Sequence, residues 1–150
     1  MIKNLLQNYI KDYKITLTEN QYEQFQKYFE LLAEWNEKMN LTAITDESGV
    51  ALKHFADSLS LLNFVDIPQN SSLADVGTGA GFPGVVLKIA RPDIKLTLID
   101  SLNKRLVSWA RYALNSVLKP NLSTAERRMA QEMKNLGKVL ILQCQEQLRE

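Results

Sequence analysis

The chain has 150 residues with 18 basic and 17 acidic side chains, a net charge of +1, 45% apolar residues and 23% charged ones. This is ordinary globular composition, enough for one domain with a small helical annex; near-neutral charge gives no overall pull toward nucleic acid, although a local patch can sit inside a neutral total. The single cysteine, Cys144, excludes an internal disulfide and points to a reducing, cytoplasmic setting.

The N-terminal MIKNLLQNYIKDYK interleaves Lys, Asn and Asp with its apolar residues, so it lacks a signal-peptide core. No apolar run approaches the ~18 residues of a membrane span. Residues 2–12 read as a short amphipathic helix. Thr18 followed by Gln21 fits a capping box, and Phe25, Phe29, Leu32, Trp35 and Met39 then form one apolar helical stripe ending near Asn40. A connector follows, with Thr45 or Asp46 as the next cap, and helical periodicity resumes through Ala51, Phe55, Leu59 and Leu62. Residues 1–70 are therefore expected to be a helical region. SSLADVG then suits a buried parallel strand, FPGVVLKIARPD a helix with Pro83 in its first turn, IKLTLID a second strand and SLNKRLVSWARYAL another helix. The fold class is α/β, with residues 71–107 starting a Rossmann-like core.

The loop between the first strand and its helix reads DVGTGAGFPG, Asp75 to Gly84. Glycines let a backbone turn sharply and let a ligand approach closely. Gly77, Gly79 and Gly81 are spaced G-x-G-x-G; the dinucleotide fingerprint would need glycine where Phe82 stands, and no lysine follows Gly84 to hold a triphosphate. Asp75 repels pyrophosphate and attracts a cation. Asp100, 19 residues past Gly81, has the spacing of an acid that binds ribose hydroxyls. The pattern reads as a site for S-adenosylmethionine (S-adenosyl-L-methionine), a sulfonium nucleoside without phosphate. The bland alternative is a glycine-rich turn that serves only strand–helix packing.

LLAEWNEKMNLTAI, KHFADSLSLL, LADVGTGAGFPGVVLKIARPD and LTLIDSLNKRLV together resemble the ribosomal RNA small subunit methyltransferase G family, also called glucose-inhibited division protein B, over about residues 22–107. W-N-x-x-x-N-L-T and D-S-L-N-K-R are its more specific parts. The resemblance implies a Rossmann-like methyltransferase of small-subunit (16S) ribosomal RNA that methylates guanine N7 with S-adenosylmethionine. It places Gly77 and Phe82 at cofactor contacts and Asp100 at the second-strand acid. Guanine N7 has a lone pair and no proton at neutral pH, so no general base, metal cluster or carboxylate pair is expected; alignment of the reacting atoms carries the rate. A methyltransferase of another substrate and a non-catalytic remnant that at most binds cofactor remain as alternatives.

Residues 108–150 are expected to be a divergent tail in which the family's R-A-E and S-R-A segments are missing. With one base restored beside Ser108, the shifted frame can encode Phe-Leu for Ser108–Trp109, R-A-E-D-G across Ala125–Ala130 and V-S-R-A across Gln143–Gln147, which reads as an out-of-frame tail. Under that reading the second strand exposes an edge, activity falls, and Arg127, Arg128 and Cys144 have no role. Upstream, His54 is either an RNA contact or a partly buried structural residue, and Trp35 a base-stacking residue or core. Asn36 and Asn40 are expected to bond the connector backbone rather than act in catalysis. Lys104 and Arg105 are RNA-phosphate contacts or a solvated face.

Overall fold

A computed structural model describes residues 1–100, 104–118 and 142–143 of the chain. The first part is helical: α1 (Ile2–Tyr9), α2 (Glu19–Met39), α3 (Glu47–Val50), a π-helical segment (Ala51–Ala56) and α4 (Asp57–Phe64). Then come β1 (Ser72–Val76), α5 (Gly84–Ala90), β2 (Lys95–Ile99), α6 (Lys104–Leu118) and a short β3 (Leu142–Gln143).

α2 begins at the expected capping box, where Thr18 Oγ1 accepts the Gln21 N–H at 3.3 Å and Gln21 Oε1 accepts the Thr18 N–H at 2.8 Å. It stops at Asn40, whose left-handed φ of 48° ends the helix. The buried face is rotated from the expected stripe. Phe25 and Leu32 are buried, but so are Tyr22, Tyr28 and Leu31, whereas Phe29, Trp35 and Met39 are only partly covered. The cause is that α2 packs against α1, α5 and α6 at once, which widens its apolar face. Asp46, not Thr45, is the next cap, accepting the Gly49 N–H at 2.7 Å. The helix expected through Ala51, Phe55 and Leu59 forms with those residues buried, but it passes through the π-helical segment.

β1 and β2 pair in parallel from Ser72↔Lys95 to Val76↔Ile99, and β3 joins β2 antiparallel through Thr97↔Gln143 and Leu98↔Leu142. The β1–α5–β2 unit is the Rossmann-like start that the sequence predicts; among the described residues the sheet goes no further than the order β1-β2-β3. β1 departs from the expectation of a buried strand. Asp75 is buried and Leu73 half-buried, but Ser72, Ala74 and Val76 are exposed. α5 covers one face, since a Cβ on Gly84 would lie 2.6 Å from Asp75 Oδ2 and 3.0 Å from Leu98 Cδ2. The alternate side chains of β1 point away from it.

One core joins the helical region to the strand–loop unit, with Phe25, Tyr28, Phe55, Val85, Leu96 and Trp109 among its members. α6 runs past residue 108 and buries Trp109, Ala110, Ala113, Leu114 and Val117, so the start of the expected tail packs into this core. Farther along the tail, Leu142 and Gln143 form β3.

Polar side chains tie the α5–β2 corner. Gln21 Nε2 donates to the Ile89 and Ala90 carbonyls at 2.8 and 3.0 Å. Lys88, 3% exposed, donates to the Pro92 and Ile94 carbonyls at 2.6 and 2.8 Å. Arg91 grips Asp93 with two bonds of 2.8 Å and reaches the Ile67 carbonyl at 3.1 Å, while Asp93 accepts the Asn70 N–H at 3.0 Å.

The Arg91 hydrogen bonds, with the Asn70 N–H and the Arg91 charge adding to them, hold the Asp93 carboxyl well below the usual carboxylate range. A depressed folded-state value stabilises the fold above the ordinary carboxylate pKa and loses that stabilisation as pH falls through the folded value. Asp93→Asn is expected to lower stability at pH 7 by about 1–2 kcal/mol and to flatten the fall in stability below about pH 4, read from urea melts across pH. The Trp109 indole N–H is buried with no hydrogen-bond partner among the described residues, while its ring stacks on Tyr28 at 5.9 Å. Trp109→Phe keeps the stack and removes the stranded donor; thermal melts should show stability unchanged or raised by about 1 kcal/mol, against a loss of about 3 kcal/mol for Trp109→Ala.

Candidate cofactor-binding site

The glycine loop leaves β1 with its backbone already bonded. The Gly77 and Thr78 N–H groups donate to the Ile99 carbonyl at 2.7 and 3.3 Å, and the Thr78 carbonyl accepts from Gly81 and Phe82 at 2.7 and 3.0 Å. Gly77, Gly79 and Gly81 have positive φ of 78°, 51° and 95°, where L side chains are strained.

The glycines then divide. Among the described residues no heavy atom lies within 4 Å of where a Cβ on Gly77 would be, and a Cβ on Gly79 would meet only the Gly77 carbonyl at 4.0 Å. Among the described residues these two face open space. A Cβ on Gly81 would meet Tyr28 Oη at 2.6 Å, Val85 at 2.8 Å and Ala110 at 3.3 Å, and Gly84 is closed off by Asp75. Gly81 thus turns its Cα toward the protein, and packing accounts for it; the bland reading of the loop holds for two glycines of the four.

Asp100 Oδ2 accepts the Gly79 N–H at 3.2 Å, so the second-strand acid does stand beside the loop. Asp75 lies beneath it, 7% exposed, with Oδ2 accepting the Gly84 N–H at 2.9 Å. Burial raises the Asp75 pKa above its ordinary value; the neighbouring Thr78 hydroxyl and the Gly84 N–H oppose the shift and the Asp100 charge adds to it. One carboxyl group, Asp100, stands beside the open glycines and a second, Asp75, lies beneath the loop, which suits a ligand bearing hydroxyls and positive charge better than one bearing phosphate.

Phe82, half-buried, closes the loop. Its ring lies 5.5 Å from Tyr28, 6.2 Å from Phe55 and 4.4 Å from His54. Tyr28, which sequence periodicity leaves unremarked, is fully buried and donates its hydroxyl to the Ala80 carbonyl at 2.7 Å. Burial, with the Asp75 charge adding, pushes its phenol well above the ordinary value, so the proton stays available for that bond. His54 is half-buried, stacked on Phe82 at an interplanar angle of 11°, with Nε2 2.8 Å from Thr42 Oγ1. Burial lowers its pKa, opposed by the Lys53 backbone and Asp57.

Asn36 Oδ1 accepts the Thr42 N–H at 2.8 Å and Asn40 forms the helix C-cap, the backbone roles expected of both. Trp35 packs on Tyr112 at 5.5 Å. The side chains of Lys104 and Arg105, and residues Arg127, Arg128 and Cys144, lie outside the described residues. A cavity of about 290 Å³ lies elsewhere, lined by Lys3, Glu19, Tyr22 and Gln26. Among the described residues no group of three or more His, Cys, Asp or Glu side chains could hold a metal ion, and no helix is long and apolar enough to cross a membrane.

Gly81→Ala combines a positive φ with a clash against Tyr28 and should cost roughly 3–5 kcal/mol of stability. Gly77→Ala carries the backbone strain alone, about 1–2 kcal/mol, and places a methyl in the open space instead. Thermal melts of the two variants test this division: Gly81→Ala must unfold at the lower temperature.

The chain matches the family described as rRNA small subunit methyltransferase G over residues 21–145. That match runs beyond residue 107, where the motifs of the sequence analysis end. Proteins named Ribosomal RNA small subunit methyltransferase G from Staphylococcus carnosus (strain TM300) and Staphylococcus aureus (strain JH9) are each 57% identical over 97 residues, 65% of this chain. The match covers 40% and 41% of those two relatives, so the chain spans about two fifths of their length. With the motifs and the β1–loop–α5–β2 unit in agreement, the chain belongs to the rRNA small subunit methyltransferase G family.

Proposed function

We propose that this chain binds S-adenosylmethionine at the glycine loop and serves methyl transfer to guanine N7 of small-subunit ribosomal RNA. The observation that carries the reading is the open face of Gly77 and Gly79 beside the Asp100 carboxylate. A Cβ at either glycine would fill that cradle, and no side chain of the described residues does. In this reading Asp100 accepts the ribose hydroxyls, Gly77 and Gly79 give backbone contact, and Phe82 forms an apolar wall. Asp75 and Gly81 act from beneath, shaping the loop, and the Asp75 charge favours the cationic end of the ligand. When bound, S-adenosylmethionine supplies an electrophilic methyl group on sulfur. Guanine N7 needs no base to attack it, so the protein's part is to hold the ligand in place and in line.

The relatives' name favours small-subunit ribosomal RNA over another methyl acceptor, and 57% identity supports carrying it over. A second reading, binding without transfer, is favoured by the exposed residues of β1 and its single strand neighbour among the described residues. Calorimetry with S-adenosylmethionine, and with a pyrophosphate dinucleotide as control, tests the site; transfer of labelled methyl to small ribosomal subunits separates the two readings. S-adenosylmethionine should bind and the dinucleotide should not. Asp100→Ala should weaken binding by about 10-fold or more, the loss of charge-assisted bonds to ribose. Tight dinucleotide binding with no S-adenosylmethionine binding would reject the proposal.

A further inference from the structure

We propose that His54 is a positioning residue for the cofactor loop: held in orientation by Thr42, its imidazole fixes the Phe82 ring and through it the backbone from Gly79 to Phe82. Where this concerns the cofactor it rests on the function proposed above; where it concerns the loop it stands alone.

The contact is close and flat. Ring centroids lie 4.4 Å apart at 11°, tighter than any other aromatic pair around Phe82. An aromatic pair of this kind gives attraction beyond area burial, but it does not fix how the ring is turned. Thr42 supplies that. Its N–H is anchored on Asn36 at 2.8 Å, its Oγ1 accepts the Ile44 N–H at 3.1 Å, and the same oxygen lies 2.8 Å from His54 Nε2. The hydroxyl proton can therefore go to Nε2 while the oxygen keeps the Ile44 bond. Burial holds the imidazole toward its neutral form, which suits stacking on an apolar ring.

Local backbone geometry fits the same role. His54 lies in the π-helical segment Ala51–Ala56, a rare geometry that is concentrated at functional sites. There the neighbours His54 and Phe55 both reach the Phe82 ring, at 4.4 and 6.2 Å, with Phe55 fully buried and His54 half-buried. Phe82 N–H shares the Thr78 carbonyl with Gly81, so displacement of the ring pulls on the bonds that shape the loop. Tyr28 pins the other side through Ala80. Of the three rings against Phe82, Tyr28 and Phe55 are core and His54 is half-buried.

The test uses His54→Ala, His54→Phe, Thr42→Val, Phe82→Ala and the double variant His54→Ala/Phe82→Ala. Three quantities are read: amide hydrogen exchange at Gly81 and Phe82, the Kd for S-adenosylhomocysteine, and the melting temperature. His54→Ala should speed exchange at both amides and raise Kd, each by about tenfold, with exchange in α1 and α2 unchanged. His54→Phe should recover most of the loss because it restores the stack, and Thr42→Val should fall between. In the Phe82→Ala background, removing His54 should raise Kd no further. Unchanged exchange and Kd in His54→Ala, or losses from His54→Ala and Phe82→Ala that add in the double variant, would overturn the proposal. Should His54→Ala fail to fold, His54→Phe and Thr42→Val decide: wild-type loop exchange in Thr42→Val overturns it. If wild type binds no S-adenosylhomocysteine yet loop exchange responds to His54, the positioning role stands and the cofactor reading falls.

Discussion

Between Val76 and Gly84 the backbone takes positive φ at Gly77, Gly79 and Gly81, and a chain bent this way forms no regular ladder to satisfy its own polar groups. The Thr78 carbonyl takes the Gly81 and Phe82 N–H groups within the loop, and the other bonds come from elsewhere. The Ile99 carbonyl takes two N–H groups at the end of β2, Asp100 takes Gly79, Asp75 takes Gly84, and Tyr28 gives a proton to Ala80. Four elements, α2, β1, β2 and α5, must be in register before the loop has a shape. This explains why the helical region and the strand unit share one core: the core delivers Tyr28 to the loop, and without it the Ala80 carbonyl would lose that bond.

What the sequence discloses follows from how local each cause is. The Thr18–Gln21 box, the stop at Asn40 and the β1–α5–β2 unit depend on neighbours within a few residues, and all are legible. Gln21 shows the boundary within one side chain. Its Oε1 makes the cap that spacing predicts, while its Nε2 bonds carbonyls 68 and 69 residues away, which no local pattern signals. Tyr28 to Ala80 spans 52 residues and is hidden for the same reason; only a polar aromatic next to a wholly apolar stripe hints at it. The π-helical segment is hidden differently, since Ala51, Phe55 and Leu59 read as an ordinary helix with or without it. In the candidate site, Gly77, Gly79, Gly81, Phe82 and Asp100 are legible as a group. The division of the glycines into open and packed is not, because identical residues differ only in what surrounds them.

W-N-x-x-x-N-L-T acquires a physical meaning. Asn36 holds the Thr42 N–H, Asn40 ends the helix in a left-handed turn, Leu41 is buried, and Thr42 reaches His54. Every polar member bonds backbone or a neighbouring ring; none points to chemistry of its own. The segment builds a corner, and the corner sets the wall of the loop. A motif more distinctive than the glycines thus acts one layer behind them.

Under the proposed function this layering has a chemical reason. An acceptor nitrogen that carries no proton leaves little for acid or base to do, and the rate then depends on how well two atoms are aligned. Alignment is lost by small displacements, so its defence lies in the rigidity of the parts that touch the ligand. Asp100 illustrates the demand. Its carboxylate already holds the Gly79 N–H at 3.2 Å, and a carboxylate accepts roughly four hydrogen bonds, so taking ribose hydroxyls need not release the loop. The same side chain can register both ligand and backbone, which ties the position of the one to the shape of the other. A loop fixed in this way from β2, from α2 through Tyr28 and from the π-helical segment through His54 has little freedom to misplace what it holds.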